Sequence, residues 1–142
     1  MPLFKDQKPL ELTVFTDGAA RGNPGPAAAA AVLIHEDSVV LERSKPLGNT
    51  TNNRAEYEAV ILALEAALEL NAAKVTLYTD SQLIARQIQG RYRVKNQDLQ
   101  PLYERARELS SRLASFRIVD IRREKNKHAD RLCNEVLDGV RN

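Results

Sequence analysis

Two aspartates in this chain follow short apolar segments that end alike. Asp17 lies in the sequence FTDG and Asp80 lies in YTDS. If the two segments are neighbouring parallel strands, both carboxylates emerge at the carboxyl edge of one sheet, where open α/β folds place their sites. The structural alternatives are a turn before glycine for Asp17 and a helix N-cap for Asp80.

Glu56 is a third candidate acid because helical geometry places it among apolar residues. Residues 54–70 are rich in Ala and Leu and lack Gly and Pro, which predicts a helix. At about 100° per residue, Glu58 and the later glutamates share one side of this helix, whereas Glu56 falls in line with the apolar residues opposite. A buried glutamate is costly unless it is paired or binds a metal. Glu58 is expected to be solvated and serves as an internal control.

Asp130, early in the last predicted helix, is a fourth candidate acid. Carboxylates without a convergent His or Cys favour a hard cation such as Mg²⁺, with Mn²⁺ as the alternative. Two such ions held about 3.5–4 Å apart support in-line hydrolysis of phosphodiesters, one generating the attacking hydroxide and the other stabilising the leaving oxygen. The pattern alone leaves open a purely structural role for these acids.

The elements that must position the acids follow from hydrophobic patterning and turn residues. We expect strands at 11–16, 74–79 and 116–121, a hairpin formed by 27–35 and 39–46, and helices at 54–70, from 80 or 81 to 88, at 98–113 and at 126–137. Segments 18–26, 48–53, 90–95 and 122–127 are expected to be loops. Late strands separated by helices require parallel pairing, and the hairpin adds antiparallel strands. The fold class is therefore α/β, one mixed sheet with helices on both faces.

Composition indicates one domain with an uneven distribution of charge. The 142 residues are 43% hydrophobic and 28% charged, enough for one substantial core. We expect a short flexible extension at 1–9 and a single domain at 10–142. Residues 1–80 carry 7 Lys and Arg against 11 Asp and Glu, and residues 81–142 carry 14 against 8. An acidic pocket beside a basic surface would suit a metal-dependent enzyme acting on phosphate backbones, and charges scattered over solvated faces are the alternative.

Cysteine usage and hydropathy narrow the class of protein further. The single cysteine, Cys133, excludes an internal disulfide and a cysteine-built metal site. No run approaches the ~20 apolar residues that a membrane span needs. We expect a cytoplasmic monomer without an obligate protein partner.

The segments that carry the acids resemble the type 1 ribonuclease H family. In chain order they are TDG (16–18) with GNPGP (22–26), TTNNRAE (50–56), TDSQ (79–82), VKN (94–96) and NKHAD (126–130). The resemblance covers residues 11–138. It implies a five-stranded mixed sheet, and cleavage of the RNA strand of an RNA–DNA hybrid by two divalent ions that leaves 5′-phosphate and 3′-hydroxyl ends. It carries the catalytic and metal-binding roles onto Asp17, Glu56, Asp80 and Asp130.

The resemblance also implies how the hybrid is held. Uncharged polar side chains can pair with 2′-hydroxyls and base edges in a shallow minor groove. The positions that match hybrid contacts of this kind are Asn23, Asn52, Asn53 and Gln82. Thr51 and Asn96 match positions that hold a phosphate of the DNA strand.

Three departures place the chain nearest the short branch of the family that lacks a basic handle. The loop 122–126 has no histidine where many members carry a catalytic one, so Arg123 or Arg122 is expected to take over an electrostatic part of that role. His128 is expected at the surface. Asn49 matches the position of a phosphate-pocket arginine, and Tyr92 is the candidate to line the DNA channel in place of tryptophan.

The missing handle is the remaining departure. The interval 89–97 is too short to form it, but basic residues occur in and before this interval without an intervening acid. They are expected to reach phosphates of the hybrid and are Arg86, Arg91, Arg93 and Lys95.

Other classes of protein fit less well. A hybrid-binding module without catalysis would not need all four acids. An aspartic protease needs Asp-Thr/Ser-Gly, and this chain has the order TDG. A related exonuclease needs an acid two residues after the first Asp, where Ala19 stands.

Overall fold

Five strands and four α-helices make up the described part of the chain, which is residues 9–139 of the computed structural model. In order they are β1 (Glu11–Ala20), β2 (Gly25–His35), β3 (Ser38–Thr50), α1 (Asn52–Glu69), β4 (Lys74–Thr79), α2 (Gln82–Ile88), α3 (Gln100–Ser110), β5 (Ser115–Asp120), a 3-10 turn (Arg123–Lys125) and α4 (Lys127–Leu137). The α/β prediction is confirmed. The predicted extension at 1–9 lies outside the described residues except for Pro9.

The strand order brings the ends of β1 and β4 together. The sheet has the order β3-β2-β1-β4-β5, in which β2 pairs antiparallel with both β1 and β3, and β4 pairs parallel with both β1 and β5. The last pair between β1 and β4 is Thr16 with Thr79. Asp17 and Asp80 each follow this pair, so the expected five-stranded mixed sheet places both at one edge.

The two faces of the sheet are covered by different helices, as expected. Alternate residues of a strand point to opposite faces. In β2, Ala31 and Leu33 join the larger core with α1, α2 and α3, whereas Ala30 and Val32 join a smaller core with Leu132 and other residues of α4. Among residues 9–139, the structure has no helix long and apolar enough to span a bilayer.

Two predicted loops are largely regular structure. Within 18–26, β1 continues to Ala20 and β2 begins at Gly25, which leaves only 21–24 irregular. Within 48–53, β3 runs to Thr50 and α1 begins at Asn52. Gly and Ala have weak intrinsic strand preference, and here pairing with neighbouring strands overrides it. Helix α3 is also shorter than the predicted 98–113.

Candidate active site

Three of the four candidate acids converge at the edge of the sheet. One carboxylate oxygen each from Asp17, Glu56 and Asp80 lies within 4.8 Å of the other two. Asp17 and Glu56 are each only 4% exposed, and Asp80 is half-buried. Three carboxylates this close repel one another unless they are protonated or share a cation.

Glu56 reaches this cluster because Gly18 lets α1 touch β1. A Cβ on Gly18 would lie 2.1 Å from the carbonyl oxygen of Ala55, so any side chain would push the first turn of α1 away. The backbone N–H of Gly18 donates to Oε1 of Glu56 at 2.9 Å. The helical-face prediction for Glu56 is therefore confirmed, and Glu58 is half-exposed.

The electrostatics of the cluster favour a bound cation. Burial, followed by the charges of Asp80 and Asp130, raises the pKa of Asp17 to about 8, against a smaller lowering by Arg123. Burial, with the charges of Asp17 and Asp80, raises the pKa of Glu56 well above its ordinary value. Oδ2 of Asp17 is buried and has no hydrogen-bond partner in the described residues. An all-oxygen donor set with an unpartnered buried oxygen fits Mg²⁺ or Mn²⁺.

The structural alternatives for the two aspartates are wrong. Ser81, not Asp80, is the N-cap of α2, because its hydroxyl accepts from the backbone N–H of Ile84 at 3.2 Å. Asp17 lies within β1 and pairs with Ala30 of β2 rather than forming a turn. Neither carboxylate is explained by local backbone structure.

Asp130 and Arg123 lie next to the cluster rather than in it. Asp130 is not part of the three-acid set, but its negative charge raises the pKa of Asp17. Nη2 of Arg123 is 3.9 Å from Oδ1 of Asp130, and the Arg123 side chain is 82% exposed. The positive charge of Arg123 also acts on Asp17 directly and lowers the pKa of that carboxyl, whereas the charge of Asp130 raises it.

The predicted minor-groove residues flank the acids at the ends of β1, α1 and β4. Oδ1 of Asn23 accepts from the backbone N–H of Asn52 at 3.0 Å, and Oδ1 of Asn52 accepts from that of Ala20 at 3.2 Å. These bonds tie the β1–β2 connection to the start of α1. Asn53 is exposed in the same turn, and Gln82 is exposed two residues after Asp80.

The two predicted DNA-phosphate residues lie on segments that the structure ties together. Thr51 is the N-cap of α1 and accepts from the backbone N–H of Arg54. The Arg54 guanidinium donates to the carbonyl of Asp98 at 2.9 Å, and Oδ1 of Asn96 accepts from the N–H of Asp98 at 2.8 Å. The 96–98 turn is thereby held against the start of α1. Asn49 is exposed near the end of β3.

The basic segment between α2 and α3 is exposed and contains no helical handle in the described chain. Arg91, Arg93 and Lys95 are all exposed. With Tyr92 and Tyr103, the two arginines line an open groove of about 700 Å³. The hydroxyl of Tyr92 accepts from Nη1 of Arg86 at 2.7 Å, which braces the segment against α2.

Neither histidine occupies the acid cluster. His128 is hydrogen-bonded through Nε2 to a carboxylate oxygen of Glu42, which fastens α4 to β3. Nδ1 of His35 lies 3.1 Å from the carbonyl oxygen of Glu11, at the far end of β1. His128, which was expected at the surface, is therefore half-buried between α4 and β3.

Two buried side chains that were not predicted as site residues contact this region. The Cys133 thiol donates to the carbonyl of Asp17 at 3.0 Å, and burial raises the thiol pKa. Asn126 donates to Asp80. The signal for Cys133 is its position among the apolar residues of α4, whereas Asn126 carries no signal beyond its place in the NKHAD segment.

Comparison with known proteins defines the class. A family model described as reverse transcriptase-like matches residues 15–136. Ribonuclease HI of Halobacterium salinarum is 43% identical over 125 residues, which are 87% of this chain and 63% of that protein. The crystal structure of RNase H1 from this archaeon has a TM-score of 0.88 at 42% identity, covering 91% of this chain and 98% of that one.

Two further relatives agree. LC11-RNase H1, solved in complex with an RNA/DNA hybrid, has a TM-score of 0.86 at 39% identity, covering 91% of this chain and 98% of that one. A bifunctional protein of Mycobacterium tuberculosis is 37% identical over 133 residues, which are 92% of this chain and 36% of that protein. This chain belongs to the type 1 ribonuclease H family. It spans just under two thirds of the halobacterial relative and about a third of the mycobacterial one.

Proposed function

We propose that this chain is an endonuclease that hydrolyses the RNA strand of RNA–DNA hybrids. The observation that carries the proposal is the three-carboxylate cluster at the strand ends, with two acids almost fully buried and one oxygen unpartnered. A relative at 39% identity has been solved with an RNA/DNA hybrid, which supports the substrate class.

Asp17, Glu56 and Asp80, with Asp130 beside them, would hold Mg²⁺ or Mn²⁺, two ions per site when substrate is bound. Such ions activate water and stabilise the leaving 3′-oxygen, a chemistry that gives 5′-phosphate and 3′-hydroxyl ends. The protein's own part is to hold the carboxylates together in a buried place. The Gly18 N–H orients Glu56, and burial of Asp17 keeps its carboxylate from being satisfied by water.

Asn23 and Asn52 would act as hydrogen-bond donors to the hybrid. Their side-chain oxygens already accept backbone N–H groups. An asparagine amide also carries two donor hydrogens, and these have no partner among the described residues. The 2′-hydroxyl and the minor-groove base edges offer acceptors. With Asn53 and Gln82, they would form the surface that distinguishes RNA from DNA.

Contacts with the backbone would come from two other groups of residues. Thr51 and Asn96, held together through Arg54 and Asp98, would bind a phosphate of the DNA strand. Exposed cations near phosphates release counterions and add affinity without reading sequence. The residues proposed for this role are Arg91, Arg93 and Lys95.

Arg123 would stabilise negative charge where many family members carry a histidine. It lies 3.9 Å from Asp130 and is otherwise exposed, so it can face a phosphate. Arginine does not deprotonate in the accessible pH range, so it can stabilise charge without acting as an acid or base.

We also propose that the protein acts as a cytoplasmic monomer. All four acids come from one chain, so the site needs no residue from a second copy. Light scattering at assay concentration measures the mass and would contradict this part of the proposal if it returned a dimer.

The test of the activity is incubation of labelled hybrid, RNA duplex and DNA duplex with purified protein, with and without Mg²⁺. We expect cleavage of the RNA strand of the hybrid only, and only with the ion. Cleavage that survives chelation, or the absence of cleavage in the presence of Mg²⁺ and Mn²⁺, would contradict the proposal.

A further inference from the structure

Asn126 is a polar side chain buried between the acids and α4. It directly precedes α4, and its residue is 1% exposed. Its Nδ2 donates to the carbonyl of Thr16 at 2.8 Å and to Oδ2 of Asp80 at 3.2 Å. Both partners are acceptors, so the amide nitrogen must face them. The Asn126 side chain therefore connects the start of α4 to β1 and to Asp80, the residue that follows β4.

The hydrogen bonds of Asn126 lie just beyond the point where the pairing of β1 with β4 ends. Pairing of β1 with β4 ends at Thr16 and Thr79, and the next residue of each strand is one of the acids. The backbone carbonyl of Asn126 also accepts the N–H of Asp130 at 3.1 Å. Through its amide and its carbonyl, Asn126 fixes the residue before Asp17, the carboxylate of Asp80 and the backbone of Asp130.

Helix capping does not explain this residue. Asn126 is the N-cap of α4, but its side chain makes no capping hydrogen bond. Its Nδ2 donates to β1 and Asp80 instead, and its Oδ1 is buried without a hydrogen-bond partner among the described residues.

The amide also suits a cation site because it carries no net charge. A lysine or arginine in this place would form an ion pair with the acids. Its positive charge would then compete with a metal ion for the same carboxylates. An amide restrains Asp80 without adding charge. Residues that orient the ligands of a metal in this way commonly alter affinity or activity by about 10–100-fold when replaced.

We propose that Asn126 is a positioning residue that holds the Asp80 carboxylate at the distance from Asp17 at which a divalent ion binds. The catalytic part of this inference rests on the proposed function. The ion-binding part does not, because it is measured without substrate.

The experiment compares Asn126→Leu and Asn126→Ser with the parent and with Val136→Ala. Leucine has the branched shape of asparagine with a larger volume and no hydrogen-bond donor. Serine has one donor hydrogen and cannot serve Thr16 and Asp80 at once. Val136 is buried in α4 away from the polar bridge, so its truncation costs stability through packing alone.

Two quantities are measured for each protein. The first is the Kd for Mg²⁺ without substrate, obtained by fitting the rise of the free energy of unfolding with Mg²⁺ concentration to RT ln(1 + [Mg²⁺]/Kd). The second is kcat and KM for the hybrid, at a temperature well below the unfolding midpoint of each protein. For both Asn126 variants we expect the Kd for Mg²⁺ to rise and kcat to fall by roughly tenfold or more, with KM changed by no more than about twofold. Val136→Ala should lose stability but keep parental values of both quantities.

The outcomes separate the two claims. Parental Mg²⁺ dependence in Asn126→Leu or Asn126→Ser would overturn the positioning role, as would an equal loss in Val136→Ala. If leucine prevents folding, the serine variant decides. If the parent binds Mg²⁺ but does not cleave the hybrid, the proposed function fails while the ion measurements still decide the role of Asn126.

Discussion

The carboxyl of Asp17 keeps its proton up to an unusually high pH, because the folded chain buries it beside other carboxylates. Its pKa is about 8, against 3.8 as the ordinary value. Between these two values the folded state binds more protons at this site than the unfolded state does. The free energy of unfolding of the metal-free protein therefore falls as pH rises from about 4 to about 8. Glu56 adds to this fall in the same direction.

Asp17→Asn should remove most of that penalty. We expect its metal-free form at pH 8 to be more stable than the parent by on the order of a few kcal/mol, and to lose less stability between pH 5 and pH 8. Denaturant unfolding in a chelator at both pH values measures this. Glu58→Gln removes a charge from the half-exposed side of the same helix and should follow the parent. If Asp17→Asn lost as much stability between pH 5 and pH 8 as the parent does, the pH dependence would not come from Asp17.

Glu56→Gln should abolish hybrid cleavage, by roughly a hundredfold or more, while the fold is retained. The substitution removes the buried charge that α1 delivers to the cluster, and Asp17→Asn and Asp80→Asn are expected to behave alike. Cleavage rates at saturating Mg²⁺ and circular dichroism measure the two parts. Glu58→Gln, two residues away on the half-exposed side, should retain parental activity. A Glu58→Gln variant as inactive as Glu56→Gln would contradict the assignment of Glu56 alone to the metal-binding face of α1.

Arg123→Ala should lower the cleavage rate several-fold without moving the midpoint of the pH–rate profile. Arg123 supplies positive charge beside Asp130, and an arginine side chain can serve as neither acid nor base in the reaction. His128→Ala should leave the profile nearly unchanged, because His128 is bonded to Glu42 of β3. A pH dependence that disappears in His128→Ala, with Arg123→Ala like the parent, would reverse the two roles.

At the scale of elements, the contact between β1 and α1 depends on a single missing side chain. Gly18→Ala would place a Cβ 2.1 Å from a backbone oxygen of α1, which a rotamer change cannot relieve. We expect a loss of about 3 kcal/mol or more in the free energy of unfolding, and loss of cleavage because Glu56 moves with the helix.

Gly48→Ala is the matched control for that substitution. Gly48 has φ +70° and nothing within 4 Å of its added Cβ, so only backbone strain of about 1–2 kcal/mol is expected. Denaturant unfolding of both variants gives the comparison. Equal losses in the free energy of unfolding would mean that α1 can move away from β1 at little cost.

Elements and site differ in how far the sequence predicts them. The β-branched segment KVTLYT predicts β4 with the bounds that the structure has, and the alanine- and leucine-rich pattern predicts α1 to within two residues. The predicted loop at 18–26 is wrong because its Gly and Ala residues become strands only through pairing with neighbours. The convergence of Asp17, Glu56 and Asp80 follows from strand direction and helix face. The bridge of Asn126 could not be predicted, since it joins residues 110 and 46 positions apart.

At the scale of the molecule, the basic half of the sequence contributes an exposed segment between α2 and α3, residues 90–95, which carries Arg91, Arg93 and Lys95. Hybrid binding should weaken with salt, and Arg91→Gln with Arg93→Gln should flatten the dependence of log K on log salt by roughly one unit per lost contact. The maximum rate at saturating hybrid should change little. Fluorescence titration at several salt concentrations measures the slope.

Arg105→Gln with Arg112→Gln removes the same charge elsewhere. These two arginines are paired with glutamates on the outer surface of α1 and α3, and we expect the parental salt slope for this variant. An identical slope in both double variants would mean that the 90–95 segment acts only through net charge.

The thiol of Cys133 gives the protein a built-in reporter. It is the single cysteine of the sequence, it is fully buried, and it rests on the backbone of Asp17. A thiol reagent reaches it when α4 separates from the sheet, so the labelling rate under native conditions measures the fraction of molecules in that open form, without any engineered probe. Because the same separation would uncover the acids, the reaction of one sulfur atom measures how much of the protein has the carboxyl ends of β1 and β4 exposed.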